Sequence, residues 1–332
     1  MKKKILILLT LLVLLTGCNK KEDNNVVNVL NWSSYIPDSV ITDFEKEYGI
    51  KVNYGTYSSN EELLAKITSS KEGTYDVIFP SDYMVELMRD RGLIEKMDIS
   101  KISNYSNLNS IFLNQNYDPH NEYSLPFLTT EVVIAVNREN ISDNVNSYND
   151  LLNEKYKNDV VLLDDQRIVI GMALLAKQHD MNDTDKNHLN DAKKWLLDIK
   201  RNVKAYDSDS PKTLLITKEA DLGAMWNAEA ELAKDNNPNI EIIEPMEGHA
   251  ISTDNYCIVK GAKNTENAYL FIDYLMRLEV GKKIVKEYPY ISPLLIEQES
   301  KIPLTSLFTN GFYVKNIGES IKDYDKLWAD IK

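Results

Sequence analysis

Carboxylates and aromatic side chains recur where apolar, strand-like runs of this chain give out. Val26–Leu30 leads to Trp32, Ser33 and Tyr35, and Tyr75–Phe79 leads to Ser81, Asp82 and Tyr83. Val160–Leu163 stops at Asp164 and Asp165, Ala220–Met225 closes at Trp226 with Glu229 just beyond, and a last set joins Asp254 to Tyr256. Tyr288 and Tyr290 flank a proline in a later loop. No Lys or Arg belongs to these clusters. Residues of these types suit a ligand with cationic ends and an aliphatic middle. Carboxylates would take ammonium groups in charge-assisted hydrogen bonds worth about 1.5–3 kcal/mol each. Trp and Tyr faces would hold the methylenes and add cation–π attraction of about 0.5–2 kcal/mol. A helix N-cap explains any single carboxylate equally well; the set carries the argument. Signatures of catalysis are missing: there is no Gly-x-Ser-x-Gly elbow, no phosphate-binding glycine loop and no His-Glu-x-x-His. His120, His179, His188 and His249 lack metal-ligand spacing and read as surface residues, so neither a metal nor a cofactor is expected.

The elements that must position these side chains alternate between strand and helix. The run Val26–Leu30 is a buried strand, and Pro37-Asp38-Ser39 opens a helix over Val40–Glu47 with Val40, Ile41 and Phe44 on one face. Lys51–Tyr54 precedes a helix carrying Leu63, Leu64 and Ile67, capped by Ser59 with Glu61 and Glu62 in its first turn. Tyr75–Phe79 and a short helix with Val85, Leu87 and Met88 complete three βα units, which predicts a mostly parallel sheet covered by helices. Ligands of such sheets bind at the carboxyl ends of the strands. Residues 104–123 read as loop. Val132–Val136 leaves this first set, and a second begins at Val160–Leu163, with helices over Gly171–Lys177 and Leu189–Lys200. Asn255–Val259 returns to the first set. Two lobes joined by crossings near 133–137 and 253–257 then enclose a cleft that closes by a hinge.

Totals narrow the class of partner. The chain has 332 residues, 43% hydrophobic and 27% charged, enough for two lobes. Met1-Lys2-Lys3-Lys4 followed by the apolar Ile5–Leu15 reads as a secretory leader, too short to span a bilayer. It ends in Leu15-Thr16-Gly17-Cys18, which looks like a bacterial lipobox and implies cleavage before Cys18 with lipid on its thiol. Asn19–Asn25 is a polar tether. Removing Lys2, Lys3 and Lys4 takes the formal charge from −13 to −16. So acidic a surface argues against nucleic acid and favours a cationic ligand. Cys257 is left without a partner and is expected to be buried as a small apolar residue.

The motifs Asn31-Trp32-Ser33-Ser34-Tyr35-Ile36-Pro37, Gly49-Ile50-Lys51-Val52, Ser58-Ser59-Asn60-Glu61, Tyr75-Asp76-Val77-Ile78-Phe79-Pro80-Ser81-Asp82-Tyr83 and Leu222-Gly223-Ala224-Met225-Trp226-Asn227 resemble those of the extracytoplasmic spermidine/putrescine-binding proteins of ABC transporters, the PotD type. The likeness runs along essentially the whole mature chain. It implies an α/β, bilobal periplasmic-binding-protein fold of type II: two mixed-sheet lobes, a two-crossing hinge and the ligand cleft between them. The expected division is a signal peptide over 1–17, lipidated Cys18 and tether over 18–26, one lobe from 27–134 plus 255–302, and the other from 135–254 plus 303–332. The resemblance implies an aromatic box of Trp32, Tyr35, Tyr83, Trp226 and Tyr288, polar contacts from Ser33 and Ser81, and amine-binding carboxylates at Asp165 and Asp254. Ile168, Ser252 and Val314 stand where spermidine binders carry Glu, Trp and Gln, whereas Glu229 occupies the place of an acid in putrescine-preferring relatives. The function so implied is that of a monomeric, lipid-anchored receptor on the outer face of the cytoplasmic membrane. It would hand putrescine or spermidine to a permease and ATPase complex and catalyse nothing. The same scaffold with another solute (a sugar, thiamine or ferric ion), an envelope glycosidase using two cleft carboxylates, and a signalling or adhesion lipoprotein are the alternatives.

Overall fold

The computed structural model of the protein describes residues 25–208, 210–297 and 304–332. The expected leader, the lipobox with Cys18 and nearly all of the tether lie outside the described residues. Period-two alternation sets the first sheet. In β1 (Val26–Trp32), Val27 and Val29 enter one core and Leu30 the other. α1 (Asp38–Tyr48) follows and ends on Gly49, whose φ of 64° lets its N–H return to the Glu45 carbonyl. β2 (Lys51–Tyr57) leads into α2 (Asn60–Ser69), capped as expected by Ser59 accepting from the Glu62 N–H. β3 (Val77–Ile78) and α3 (Asp82–Asp90) complete the unit. β2, β1 and β3 run parallel, while the antiparallel neighbour of β3 comes from far along the chain, so the sheet is mixed.

β4 (Leu125–Asn137) is far longer than its apolar core suggests, and all thirteen of its residues are buried. Beyond it come β5 (Val160–Leu162), α4 (Gln166–Ala176), α5 (Lys186–Ile199), β6 (Val203–Tyr206), α6 (Lys212–Ile216), β7 (Leu222–Trp226), α7 (Asn227–Asn236) and β8 (Ile240–Ile243). The chain returns through β9 (His249–Ile258) to α8 (Thr265–Leu275) and α9 (Leu278–Glu287), and ends in α10 (Leu304–Thr309), β10 (Gly311–Tyr313) and α11 (Ile321–Ile331). The order β2-β1-β3-β9-β4-β7-β5-β6 makes a continuous path through both lobes. β4 pairs with β9 from Leu125 to Glu131, then with β7 and β8 from Val132 onward. The exchange of partners at Glu131/Val132 is where one lobe's sheet gives way to the other's. A large core around Trp195, Leu162, Met225 and Tyr324 fills the second lobe; two cores, on opposite faces of β1, fill the first.

Several expectations change. α4 starts at Gln166 rather than Gly171, because Asp165 caps it with a side-chain oxygen accepting the Arg167 and Ile168 N–H groups. His249 is wholly buried, not a surface residue, with its ring nitrogens 3.0 Å from Glu131 and 3.7 Å from Glu244. His179 and His188 are half-buried and stack at 3.9 Å beside Asp183. The ring planes are 14° apart, His188 Nδ1 lies 2.6 Å from Asp183, and the donor atoms of His179, Asp183 and His188 are within 4.8 Å of one another. Cys257 is buried and unpaired, and among the described residues no helix is long and apolar enough to cross a membrane.

Asp76 ties the first lobe together. Its buried carboxylate accepts the backbone and side-chain N–H groups of both Asn28 and Asn264, joining β1 to the segment ahead of α8. Asp76→Ala strands two backbone donors and is expected to lower the unfolding free energy by about 3 kcal/mol in urea melts; a loss below about 1 kcal/mol would show the junction to be supported elsewhere.

Candidate ligand-binding site

The turn after β1 shapes the first wall. Ser34 takes a left-handed backbone, φ 57°, which reverses the chain between Trp32 and Tyr35 and leaves their rings 6.3 Å apart. Trp32 packs against Tyr57 in a tilted contact, centroids 4.6 Å apart, and the indole N–H and the Tyr57 hydroxyl both donate to the Phe79 carbonyl, at 3.0 and 2.6 Å. Two aromatic donors on one carbonyl fix the indole without using a ligand. Ser33, by contrast, is exposed and outside the buried network.

Asp254 lies at the centre, 3% exposed on β9. Its Oδ2 accepts the Tyr35 hydroxyl at 2.8 Å and its Oδ1 the Ser81 hydroxyl at 2.6 Å. Asn60, the first residue of α2, grips Ser81 by donating to its hydroxyl and accepting its N–H. These donors are neutral, and no Lys or Arg figures among the groups that perturb Asp254. Burial pushes its carboxyl up to about 6, against the pull of the Ser81, Tyr35 and Trp32 hydrogen bonds. Asp82, at the start of α3, is equally buried; it accepts the Tyr83 and Thr253 N–H groups, and burial drives it up to about 8.

The second lobe contributes from opposite. Asp165 spends Oδ1 on capping α4, and among the described residues no hydrogen bond falls on Oδ2. Burial raises its pKa, and Glu61 of the first lobe raises it further. The Tyr83 hydroxyl donates to Glu61 at 3.2 Å and faces Asp165, while its ring packs against cores of both lobes. Two carboxylates from opposite lobes thus converge on one phenol. Trp226 ends β7 with its ring against the second-lobe core. Glu229 sits in the first turn of α7, nine-tenths buried and near Tyr290.

Some sequence candidates separate from the site. Tyr288 turns toward Ser34 and Asp38; Tyr290, two residues on, packs against Tyr35 in a tilted contact at 4.6 Å and lies near Asp254 and Glu229. Thr129 and Ile291 exchange backbone hydrogen bonds at 2.8 and 2.9 Å, docking that loop on β4, and this contact selects Tyr290. Ile168 and Val314 pack into the second-lobe core. Ser252 is on β9 opposite Thr130. Two cations that strand ends did not reveal also come close. Arg167 of α4 perturbs Asp165 and Asp82, and Lys212 of α6 binds Glu229. Glu61 was visible only as a first-turn acid of α2.

Two lobes built on shared strands, with rings and carboxylates buried where they meet, describe a clamp for a small solute. Comparison with known proteins agrees: residues 39–301 match the family described as "Bacterial extracellular solute-binding protein", and the chain belongs to it. Among relatives, the spermidine/putrescine-binding periplasmic protein of Escherichia coli (strain K12) is 34% identical over 322 residues, covering 94% of this chain and 92% of its own. Spermidine/putrescine-binding periplasmic protein 1 of Haemophilus influenzae is 31% identical over 341 residues, 96% of this chain and 95% of its own. The structure of the spermidine/putrescine ABC transporter substrate-binding protein PotD from Streptococcus pneumoniae superposes with a TM-score of 0.81 at 28% identity, covering 92% of this chain and 98% of that one.

A carboxyl whose pKa is raised in the fold favours the protonated native state, so its contribution to stability is present at low pH. It is lost as pH rises from the unfolded value near 4 through about 6 for Asp254. Asp254→Asn is therefore expected to stabilise the ligand-free protein at pH 7.5, by up to about 3 kcal/mol, and to change it little at pH 4. Thermal melts of both proteins across this range check it; a gain that does not grow with pH would mean that Asp254 is not the buried charge.

Proposed function

We propose that this solute-binding protein captures a polyamine outside the cell and presents it to an ABC importer, with no catalysis of its own. One observation carries the reading: Asp254 is a buried carboxylate walled by Trp32, Tyr35 and Tyr290, and among the described residues it is hydrogen-bonded only by neutral donors. An ammonium placed there supplies the missing counter-charge, and the rings take both its charge and the attached methylenes. Asp165 with Glu61 and Tyr83 offers a second acidic corner for the other amine. The names of the relatives support the same ligand class. Trp32, Tyr35, Ser81, Tyr83, Asp165, Trp226, Glu229, Asp254 and Tyr290 form the proposed site; Tyr290 replaces Tyr288, and Ser33 has only a peripheral place. The closing bodies are the lobes expected at 27–134 plus 255–302 and 135–254 plus 303–332, with the crossover on β4 taken at Glu131/Val132 and Asp254, bridged to Ser81, counted with the first. Cys18, through its lipid, would hold a monomer at the outer face of the cytoplasmic membrane within reach of the permease.

Calorimetric titration of the mature protein with putrescine and spermidine tests this. Micromolar or tighter binding of at least one is expected. Asp254→Ala should weaken it by more than about ten-fold, since the ammonium then lies buried and unpaired. Absence of heat and of thermal stabilisation with both amines would overturn the proposal.

A further inference from the structure

Glu229 is already answered. The ammonium of Lys212, from the first position of α6, contacts both carboxylate oxygens at 2.9 and 2.7 Å. The pair is largely buried, with side-chain exposures of 27% and 11%. Glu229 also stands in the first turn of α7, where the helix N-terminus favours a negative charge. It faces the site through Tyr290, whose ring lies on Tyr35. The amine class proposed above would therefore meet a carboxylate that holds a resident ammonium of the same chemistry. Asp254 differs in kind: among the described residues its hydrogen bonds come from the Tyr35 and Ser81 hydroxyls, both neutral.

We infer that Lys212 is a specificity-determining residue: it neutralises Glu229 from within, so this carboxylate offers a ligand ammonium no unpaired charge. The inference rests on the polyamine reading and deepens it. Two carboxylate corners, at Asp254 and at Asp165 with Glu61, then select the ligand, and the length between them sets which amine fits. A cation brought against Glu229 would have to share it with Lys212 at close range, where like charges repel. Removing Lys212 exposes a buried carboxylate with no counter-charge and turns it into a new amine site. Removing the Glu229 charge alone leaves Lys212 unpaired and repels cations. Removing both charges restores neutrality.

The test is a double-mutant cycle read by calorimetry with putrescine, cadaverine and spermidine on the mature wild type, Lys212→Met, Glu229→Gln and the double variant. The expected result is that K212M binds at least one amine tighter by about ten-fold or more and E229Q binds more weakly. The double variant should return to within about three-fold of wild type. Wild-type binding with K212M no tighter overturns the inference alone, as does a double variant as weak as E229Q, which would make Glu229 a direct ligand group. The double variant carries a neutral pair in place of the ion pair, so it remains informative if K212M alone does not fold. No binding of any amine to any of the four proteins overturns the polyamine reading and this inference with it.

Discussion

A carboxylate kept out of water, with no cation paired to it among the described residues, is the constraint around which this molecule is arranged. Asp254 gains two hydroxyl donors, but neutral hydrogen bonds recover only part of the hydration it gives up. The surrounding groups answer that deficit. Asn60 holds Ser81 from both sides, so that the hydroxyl cannot turn away. Tyr57 and Trp32 share the Phe79 carbonyl, which holds the indole in place. The first lobe is thus pre-organised before any solute arrives, and the cost of ordering these side chains falls on folding instead of binding.

The second lobe works differently. Asp165 spends one oxygen on capping α4 and leaves the other uncommitted among the described residues, whereas both oxygens of Glu229 are held by Lys212.

Much of the fold was legible because apolar periodicity is local. Val27, Val29 and Leu30 announce a strand with two covered faces, and Ser59 with Glu62 announces the start of α2. What escaped depended on contacts across the chain. Tyr35 and Asp254 are separated by 219 residues, and Ser81 and Asp254 by 173. Tyr288 and Tyr290 are equivalent in sequence, and only the docking of Ile291 on Thr129 separates them. Lys212 gave no signal because it follows no strand end; it reaches Glu229 from a five-residue helix. His249 read as a surface residue because nothing near it in sequence shows the Glu131 side chain that lies against it. The long β4 was underestimated because Thr129, Thr130 and Glu131 interrupt its apolar pattern where it changes sheet.

That exchange of partners on β4 also governs how the protein comes apart. Residues 125–131 belong to the ladder of one lobe and residues 132–137 to that of the other, with no loop between them and every residue buried. Neither lobe can release its half of the strand without stripping hydrogen bonds and apolar cover from the other half. The two lobes therefore denature as a single cooperative unit, despite having separate cores.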